Sequence, residues 1–312
     1  MTAVRLGLDI GGTKIHGVAV DAADPELLHA QIRIPTMRGP QGVVASALQA
    51  VSQLLEAAGA VAEPVALGIG VPGAVGCDGI LTNAVNLLIG SPMDLRGILT
   101  AAVGIPVTVN NDVDAAACGV ARWLVSRGET PDVALLSIGT GLAAGFVLDG
   151  RLRRGATSLV GELGHLAVVP DGPLCSCGQR GCIEMYASGR ALERQWHHDG
   201  PDPAPVAVFD AADAGDVEAI AIRETFLSWL GTAIRIATLA VDPAHVVLTG
   251  GVMRLGERIT APLLERLGHD AHTSPFVASL RLRERTMLLP ADHPAAALGA
   301  AELSDPESGR RR

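Results

Sequence analysis

Apolar residues crowd into short runs that end at glycine, proline or asparagine. Val4–Ile10, Val65–Val71, Ile105–Val109 and Val133–Ile138 read as strands buried in an α/β core, with Lys14–Val20 as the partner of the first and His245–Leu248 as a later strand. A different period marks Gly42–Leu55, where Val44, Leu48, Val51 and Leu55 fall on one helical face. Ala115–Arg127 is read as a helix as well. Asp216–Val241 predicts a long helix with Ile220, Leu227, Ile234 and Val241 at seven-residue intervals. The proline-rich stretch DGPDPAPVAVF (199–209) predicts irregular surface chain, and the tail SDPESGRRR, flexible over 306–312, is expected to fray.

One pattern repeats. Leu8-Asp9-Ile10-Gly11-Gly12-Thr13, followed by Gly17 and Asp21, has an echo 128 residues later in Leu136-Ser137-Ile138-Gly139-Thr140-Gly141, followed by Gly145 and Asp149. Both are strand, turn, strand units, and eight registered positions predict a duplicated lobe. Two related lobes would face each other across a cleft. Strands alternating with helices make the class α/β.

Composition narrows the possibilities. A chain of 312 residues, 48% hydrophobic, is long enough for two buried cores. Its net charge of −9 argues against a nucleic-acid or anionic-membrane partner. No apolar run approaches the ~20 residues of a spanning helix. A strand beginning at Val4 leaves no room for a signal peptide, so the expected location is the cytoplasm. There thiols stay reduced, and five cysteines cannot all pair. Cys77 and Cys118 read as small core fillers.

Three glycine turns follow strands: Gly11-Gly12-Thr13, Gly139-Thr140-Gly141 and Gly250-Gly251. Such turns let backbone N–H groups reach phosphate oxygens, and two of them in duplicated positions suggest a bound nucleotide. Asp9 can meet Mg²⁺, since hard cations prefer carboxylate oxygen, or simply accept N–H groups of its own turn. Asn110-Asn111-Asp112 ends a strand, where α/β sheets place ligand residues. Asp112 suits the carboxylate that takes a proton from an alcohol during phosphoryl transfer, with Asn111 able to bond neighbouring hydroxyls. An equally ready reading makes Asp112 the cap of the following helix.

The loop 161–182 holds His165, Cys175, Cys177 and Cys182, a tetrahedral Cys₃His set for structural Zn²⁺. Glu162 and Glu184 flank it, so an ion there would fix two carboxylates and an imidazole whose second nitrogen can bond something else.

Taken together, DIGGTK (9–14), NND (110–112), IGTG (138–141), GELGH (161–165), CSCGQRGCIEMYASG (175–189) and TGGV (249–252) resemble the ROK family of sugar kinases, especially bacterial glucokinases, over essentially the whole chain. The resemblance implies a two-lobed, actin-like (ribonuclease-H-like) ATPase fold with an interlobe cleft. The small lobe would cover 1–115 and a carboxy-terminal helix within about 295–305. The large lobe would cover 116–294 and carry the zinc loop. It also implies ATP with Mg²⁺, and transfer of the γ-phosphoryl to a hexose hydroxyl, usually the 6-hydroxyl. By position Asp112 matches the general base, and Asn111, Glu162, His165 and Glu184 match residues that bond the sugar. Gly73 matches a backbone contact. His165 matches a residue binding zinc through one nitrogen and sugar through the other. Asp9, Gly11, Gly12, Thr13 and Lys14, with Gly139, Thr140, Gly141, Gly250 and Gly251, match the nucleotide site. Dimers or tetramers are implied too.

Two departures stand out. Where glucokinases of this family read PNLPGW, the chain has Val85-Asn86-Leu87-Leu88-Ile89-Gly90, keeping Asn86 alone of the polar and turn-forming pattern. Where they have Glu before Asn111, it has Asn110. Glucose is the expected acceptor, with an N-acylhexosamine, fructose or a C7-cyclitol as the alternative. A sugar-responsive repressor, a further type within the family, would carry an added amino-terminal DNA-binding module that the strand at Val4 and the acidic charge argue against.

Overall fold

The computed structural model describes residues 2–60, 62–76 and 78–305. Cys77 and the tail 306–312 lie outside the described residues. The chain divides into two compact units: 1–131 with 145–160 and 294–312, and 132–144 with 161–293. The sequence-derived boundary after residue 115 thus differs from this division, which keeps 116–131 and 145–160 with the first unit.

The amino-terminal elements are β1 (Thr2–Ile10), β2 (Lys14–Asp21), β3 (Leu28–Pro35), α1 (Pro40–Ala58), β4 (Ala62–Val71), a small hairpin of β5 (Ala74–Val75) and β6 (Leu81–Asn83), α2 (Leu95–Val103), β7 (Val107–Asn111) and α3 (Asp112–Ser126). Then come β8 (Val133–Ile138), β9 (Leu142–Leu148), β10 (Arg151–Leu152), α4 (Gly189–Gln195), α5 (Ala204–Asp213), α6 (Val217–Val241) and β11 (His245–Thr249). The chain ends through α7 (Glu257–Thr273), the short α8 (Pro275–Ser279) and α9 (Leu282–Arg285), β12 (Thr286–Leu288) and α10 (Ala295–Leu303).

The repeat seen in the sequence reappears as topology. One sheet runs β3-β2-β1-β4-β7 and the other β10-β9-β8-β11-β12, so each has the order third, second, first, fourth, fifth strand of its set. In the first sheet β1 pairs antiparallel with β2 and parallel with β4, and β4 parallel with β7. In the second, β11 runs parallel to β8 and β12. The repeated glycines share a purpose. A Cβ on Gly17 would press into Leu54 of α1, and one on Gly145 into Val113 and Ala117 of α3, so each glycine lets a helix lie on its strand.

Leu6, Leu8, Ile10, Ile15, Leu67 and Ile69 form the core of the first sheet against Leu54 of α1. On the opposite face α10 rests directly on the backbone of β1 and β4. Beta-carbons on Gly7 and Gly68 would sit 2.0 Å from the carbonyl of Ala297 and 1.7 Å from that of Ala300, so only glycine allows this approach. In the second unit Leu227 and Ile234 of α6 are buried as the seven-residue spacing predicts. Phe226, Leu230 and Ala233 widen that face beyond one stripe.

Two expectations need correction. The proline content of 199–209 predicts irregular chain, yet Ala204–Asp213 is helical, with Pro203 at the cap and Pro205 in the first turn. Proline is favoured there because the first-turn N–H groups have no helical partner to lose. The helix predicted from Ala115 starts at Asp112, and its cap is Asn111, not Asp112.

Candidate active site

In the first unit, Asp9 lies level with Gly70 on β4, and Gly70 level with Asn110 on β7. The parallel register therefore gathers Asp9, Asn110 and Asn111 at one edge, the carboxyl ends of the strands. Asn111 caps α3: its Oδ1 accepts the N–H groups of Val113 (2.8 Å) and Asp114 (3.2 Å). Its Nδ2 donates to the carbonyl of Gly73 at 3.1 Å. Of the amide's four hydrogen-bonding positions one N–H is left for a ligand. Because Asn111 does the capping, Asp112 occupies the first helical position, its Oδ1 accepting from Val113 N–H at 3.0 Å. Gly73 takes a left-handed turn, φ 116°. Asn110 is buried and accepts from Arg154 at 2.8 Å.

Burial first, and the nearby negative charge of Asp112 second, push the Asp9 carboxyl up to about 7, while Lys14 pulls it back. A buried carboxyl held up in this way is relieved by a hard divalent cation, so Asp9 fits Mg²⁺ chemistry. The turn between β1 and β2 closes through Gly11 N–H on the Lys14 carbonyl at 2.9 Å. Thr13 and Lys14 are exposed. Arg38 ties the turn down from outside by donating to the Gly12 carbonyl at 2.8 Å. Asn86 is exposed on the 3₁₀ turn Val85–Leu87, which Leu87 anchors in the core, with its backbone against Gly12.

In the second unit a cavity of about 670 Å³ is lined by Gly139, Thr140 and Gly251, three of the turn residues singled out in the sequence. Arg190, Glu193 and Arg254 add charge to it, and the 203–206 segment adds an apolar wall. None of these was recognisable beforehand. The available signal was Ser188, whose hydroxyl caps α4 and so marks a helix start next to the cavity. The Gly189 and Arg190 N–H groups bond the Gly139 and Thr140 carbonyls, at 2.8 and 3.1 Å, which seats α4 on the turn.

The four glycines of these turns divide by surroundings. Gly139 and Gly251 face open space, whereas Gly250 (φ 106°) lies against the Ile138 backbone. A Cβ on Gly141 would stand 2.7 Å from Oε2 of Glu184. Gly141 therefore makes room for a candidate acceptor-binding carboxylate, and Gly250 shapes the turn.

The four candidate metal ligands lie together. One ligand atom from each of His165, Cys175, Cys177 and Cys182 lies within 4.8 Å of the others. The Cys177 and Cys182 sulfurs are 3.6 Å apart, as are the Cys175 sulfur and His165 Nδ1. A tetrahedral ion with bonds near 2.3 Å to sulfur needs edges of about 3.8 Å, so the set fits Zn²⁺. The Gln179 backbone N–H brings the Cys177 thiol down to about 6, and burial pushes Cys175 up to about 12. His165 turns Nδ1 toward the cysteines and leaves Nε2 3.8 Å from Glu162 Oε2. Glu184 lies mostly buried, its Oε1 3.6 Å from His165 Nδ1. Glu162, His165 and Glu184 thus share one wall of this unit. The chain gets there because Gly161 and Gly164 pack against the Ala144 and Leu142 carbonyls of β9.

Among the described residues no helix is long and apolar enough to cross a membrane. The sequence profile of the ROK family matches residues 5–305. The chain is 33% identical over 278 residues to a glucokinase of Streptomyces coelicolor, covering 83% of this chain and 86% of the relative. It is 30% identical over 298 residues to an N-acetylmannosamine kinase of Vibrio cholerae, covering 95% and 97%. Among solved structures, a ROK family glucokinase from Streptomyces griseus in complex with glucose and AMPPNP superposes with a TM-score of 0.75 at 30% identity, over 96% of this chain and 99% of that one. Likeness at this level carries the actin-like fold that the motifs imply.

Proposed function

The chain belongs to the ROK family, and from that premise we propose that it is an ATP-dependent hexose kinase, with glucose as acceptor and the 6-hydroxyl as the site of transfer. It is a sugar phosphotransferase by kinship with the glucokinases and the N-acetylmannosamine kinase. The observation that carries the mechanism is Asp112 at the first turn of α3, beside Asp9 at the strand ends.

Asp112 accepts the proton of the acceptor hydroxyl as that oxygen bonds the γ-phosphorus and the bond to the ADP oxygen breaks. Asn111 uses its remaining N–H, and Glu162, His165 Nε2 and Glu184 their polar atoms, to hold the other sugar hydroxyls. Gly73 and Asn86 complete the acceptor contacts. Gly11, Gly12, Thr13 and Lys14, with Gly139, Thr140, Gly141, Gly250 and Gly251, serve the nucleotide; Gly141 and Gly250 do so by shaping their turns. Mg²⁺, held through Asp9, supplies charge neutralisation on the phosphates. Zn²⁺ on the Cys₃His set is structural and orients His165. By the pattern of the family the enzyme is a cytoplasmic homodimer or homotetramer.

A second reading of the acceptor has its own support. Val85 and Leu88 beside Asn86 are 73% and 66% exposed, an apolar lip that suits an N-acylhexosamine or a cyclitol better than bare glucose. An ADP-release assay over glucose, fructose, N-acetylmannosamine, N-acetylglucosamine and a C7-cyclitol tests both. Turnover with glucose supports the first reading, preference for an acylated or carbocyclic acceptor the second. No turnover on any member removes the kinase assignment.

A further inference from the structure

The 670 Å³ cavity takes two of its walls from segments far apart in the chain. One is 203–206, at the start of α5. The other is the turn Val252–Leu255, which leads through Gly256 into α7. Neither helix is fixed by its own cap, because Pro203 and Gly256 give no side-chain hydrogen bond to the turns they open. The width of the cavity therefore rests on contacts made further along the two helices.

Arg258, the second residue of α7, makes such a contact. Its Nη1 donates to Asp210 Oδ1 at 2.8 Å, and its Nε and Nη2 donate to Asp213 Oδ2 at 3.1 and 2.7 Å. All three guanidinium nitrogens are thus engaged on α5. The guanidinium carbon also lies 5.8 Å from the ring centroid of Phe209 on the same helix, and that ring packs edge-on against Phe226 of α6. The second oxygen of Asp213 accepts from Arg223 of α6 at 2.9 Å. An isolated surface ion pair contributes little, but a planar fork shared by two carboxylates beside an aromatic ring has a fixed geometry. It joins the helix behind one wall of the cavity to the helix behind the other.

We propose that Arg258 is a positioning residue for the nucleotide: by clamping α5 to the start of α7 it sets the spacing of the two walls and with it the affinity for ATP. This rests on the reading of the cavity as the nucleotide site. Arg258 stands behind the walls and is not part of the lining. Asp210 and Asp213 are 58% and 52% exposed, so water solvates them when the guanidinium is removed and the fold survives the substitution.

Titration of the full chain with AMPPNP and Mg²⁺, beside steady-state kinetics, tests this. Arg258→Met keeps an apolar stem and removes the fork; it weakens AMPPNP binding by at least about fivefold, while kcat and the acceptor KM stay within about twofold. Arg258→Lys, which keeps the charge, loses less. Adding Asp210→Asn to Arg258→Met weakens binding no further, because Asp210 acts through the guanidinium. A loss below about fivefold in Arg258→Met overturns the proposal. An equal loss of acceptor affinity, or a further loss on adding Asp210→Asn, marks a general structural role and overturns it too. A native chain that binds no AMPPNP removes the nucleotide reading, and the proposal with it.

Discussion

The sulfur of Cys175 lies 3.0 Å from Oε1 of Glu184, the thiol donating to the carboxylate. A thiolate bound to a metal has no proton to donate, so metal loading releases Glu184 for other donors. The Cys₃His loop and the proposed acceptor wall are therefore chemically linked through this contact as well as through His165.

Removal of the ion should uncouple that wall. Cys177→Ser, or chelation of the native protein, is expected to abolish zinc in a metal assay and lower the melting midpoint by about 5 °C or more. The KM for the sugar rises by at least about tenfold, because His165 loses its anchor, while the KM for ATP moves far less. An unchanged sugar KM in zinc-free protein would separate the metal from the acceptor site.

Asp112 and its neighbour should part in their effects. Asp112→Asn keeps the start of α3 and is expected to lower kcat by about 10³-fold with nucleotide affinity nearly unchanged. Asn111→Ala removes the cap and the bond to Gly73, and costs about 1 kcal/mol in stability besides raising the sugar KM. Asn111→Asp keeps the capping oxygen and loses the Gly73 bond, so denaturant midpoints beside sugar KM values tell capping from binding.

Two glycines of the second unit's turns should give opposite signatures, because a methyl on Gly141 meets Glu184 and one on Gly251 enters the cavity. Gly141→Ala displaces Glu184, whose Oε2 stands 2.7 Å from the new methyl, and raises the sugar KM. Gly251→Ala adds a methyl on the lining of the 670 Å³ cavity and raises the ATP KM instead. Steady-state kinetics with each substrate varied in turn reads the difference; identical effects from both variants contradict it.

Glu302 makes stability depend on pH. Its folded value lies above the ordinary 4.5, so the native state holds the proton more tightly than the unfolded chain. Stability from this group is complete below 4.5 and is lost as pH rises through the folded value. Urea midpoints of Glu302→Gln, which has no such titration, should gain on those of the native protein over that rise and then run parallel. A gap that stays constant with pH contradicts the buried-carboxyl reading.

Much of this was legible in the residues. The spacing of His165, Cys175, Cys177 and Cys182 is a local property, since a short glycine-containing loop brings those side chains together wherever it sits, and the structure gathers them within 4.8 Å. The duplicated strand-turn-strand pattern likewise reappears as two sheets of the same strand order. The helix at 204–213 was missed because its prolines were counted as breakers, whereas in a first turn they break nothing. Whether Asp112 or Asn111 caps α3 could not be read from order alone. Each can accept the first N–H groups, and the choice falls to Asn111 because its amide also reaches Gly73, 38 residues away in the chain.

By itself, then, the sequence determined the strands β1, β2, β4, β7, β8 and β11, the helices α1, α3 and α6, the internal repeat, the clustered Cys₃His loop and the family. All of these depend on near neighbours in the chain or on a motif carried whole. Tertiary structure alone decided which glycine faces open space and which one shelters Glu184, which residues beyond the motifs line the 670 Å³ cavity, and that Arg258 of α7 meets Asp210 and Asp213 of α5 behind it. Those outcomes depend on distances between segments remote in the chain, which residue order does not encode position by position.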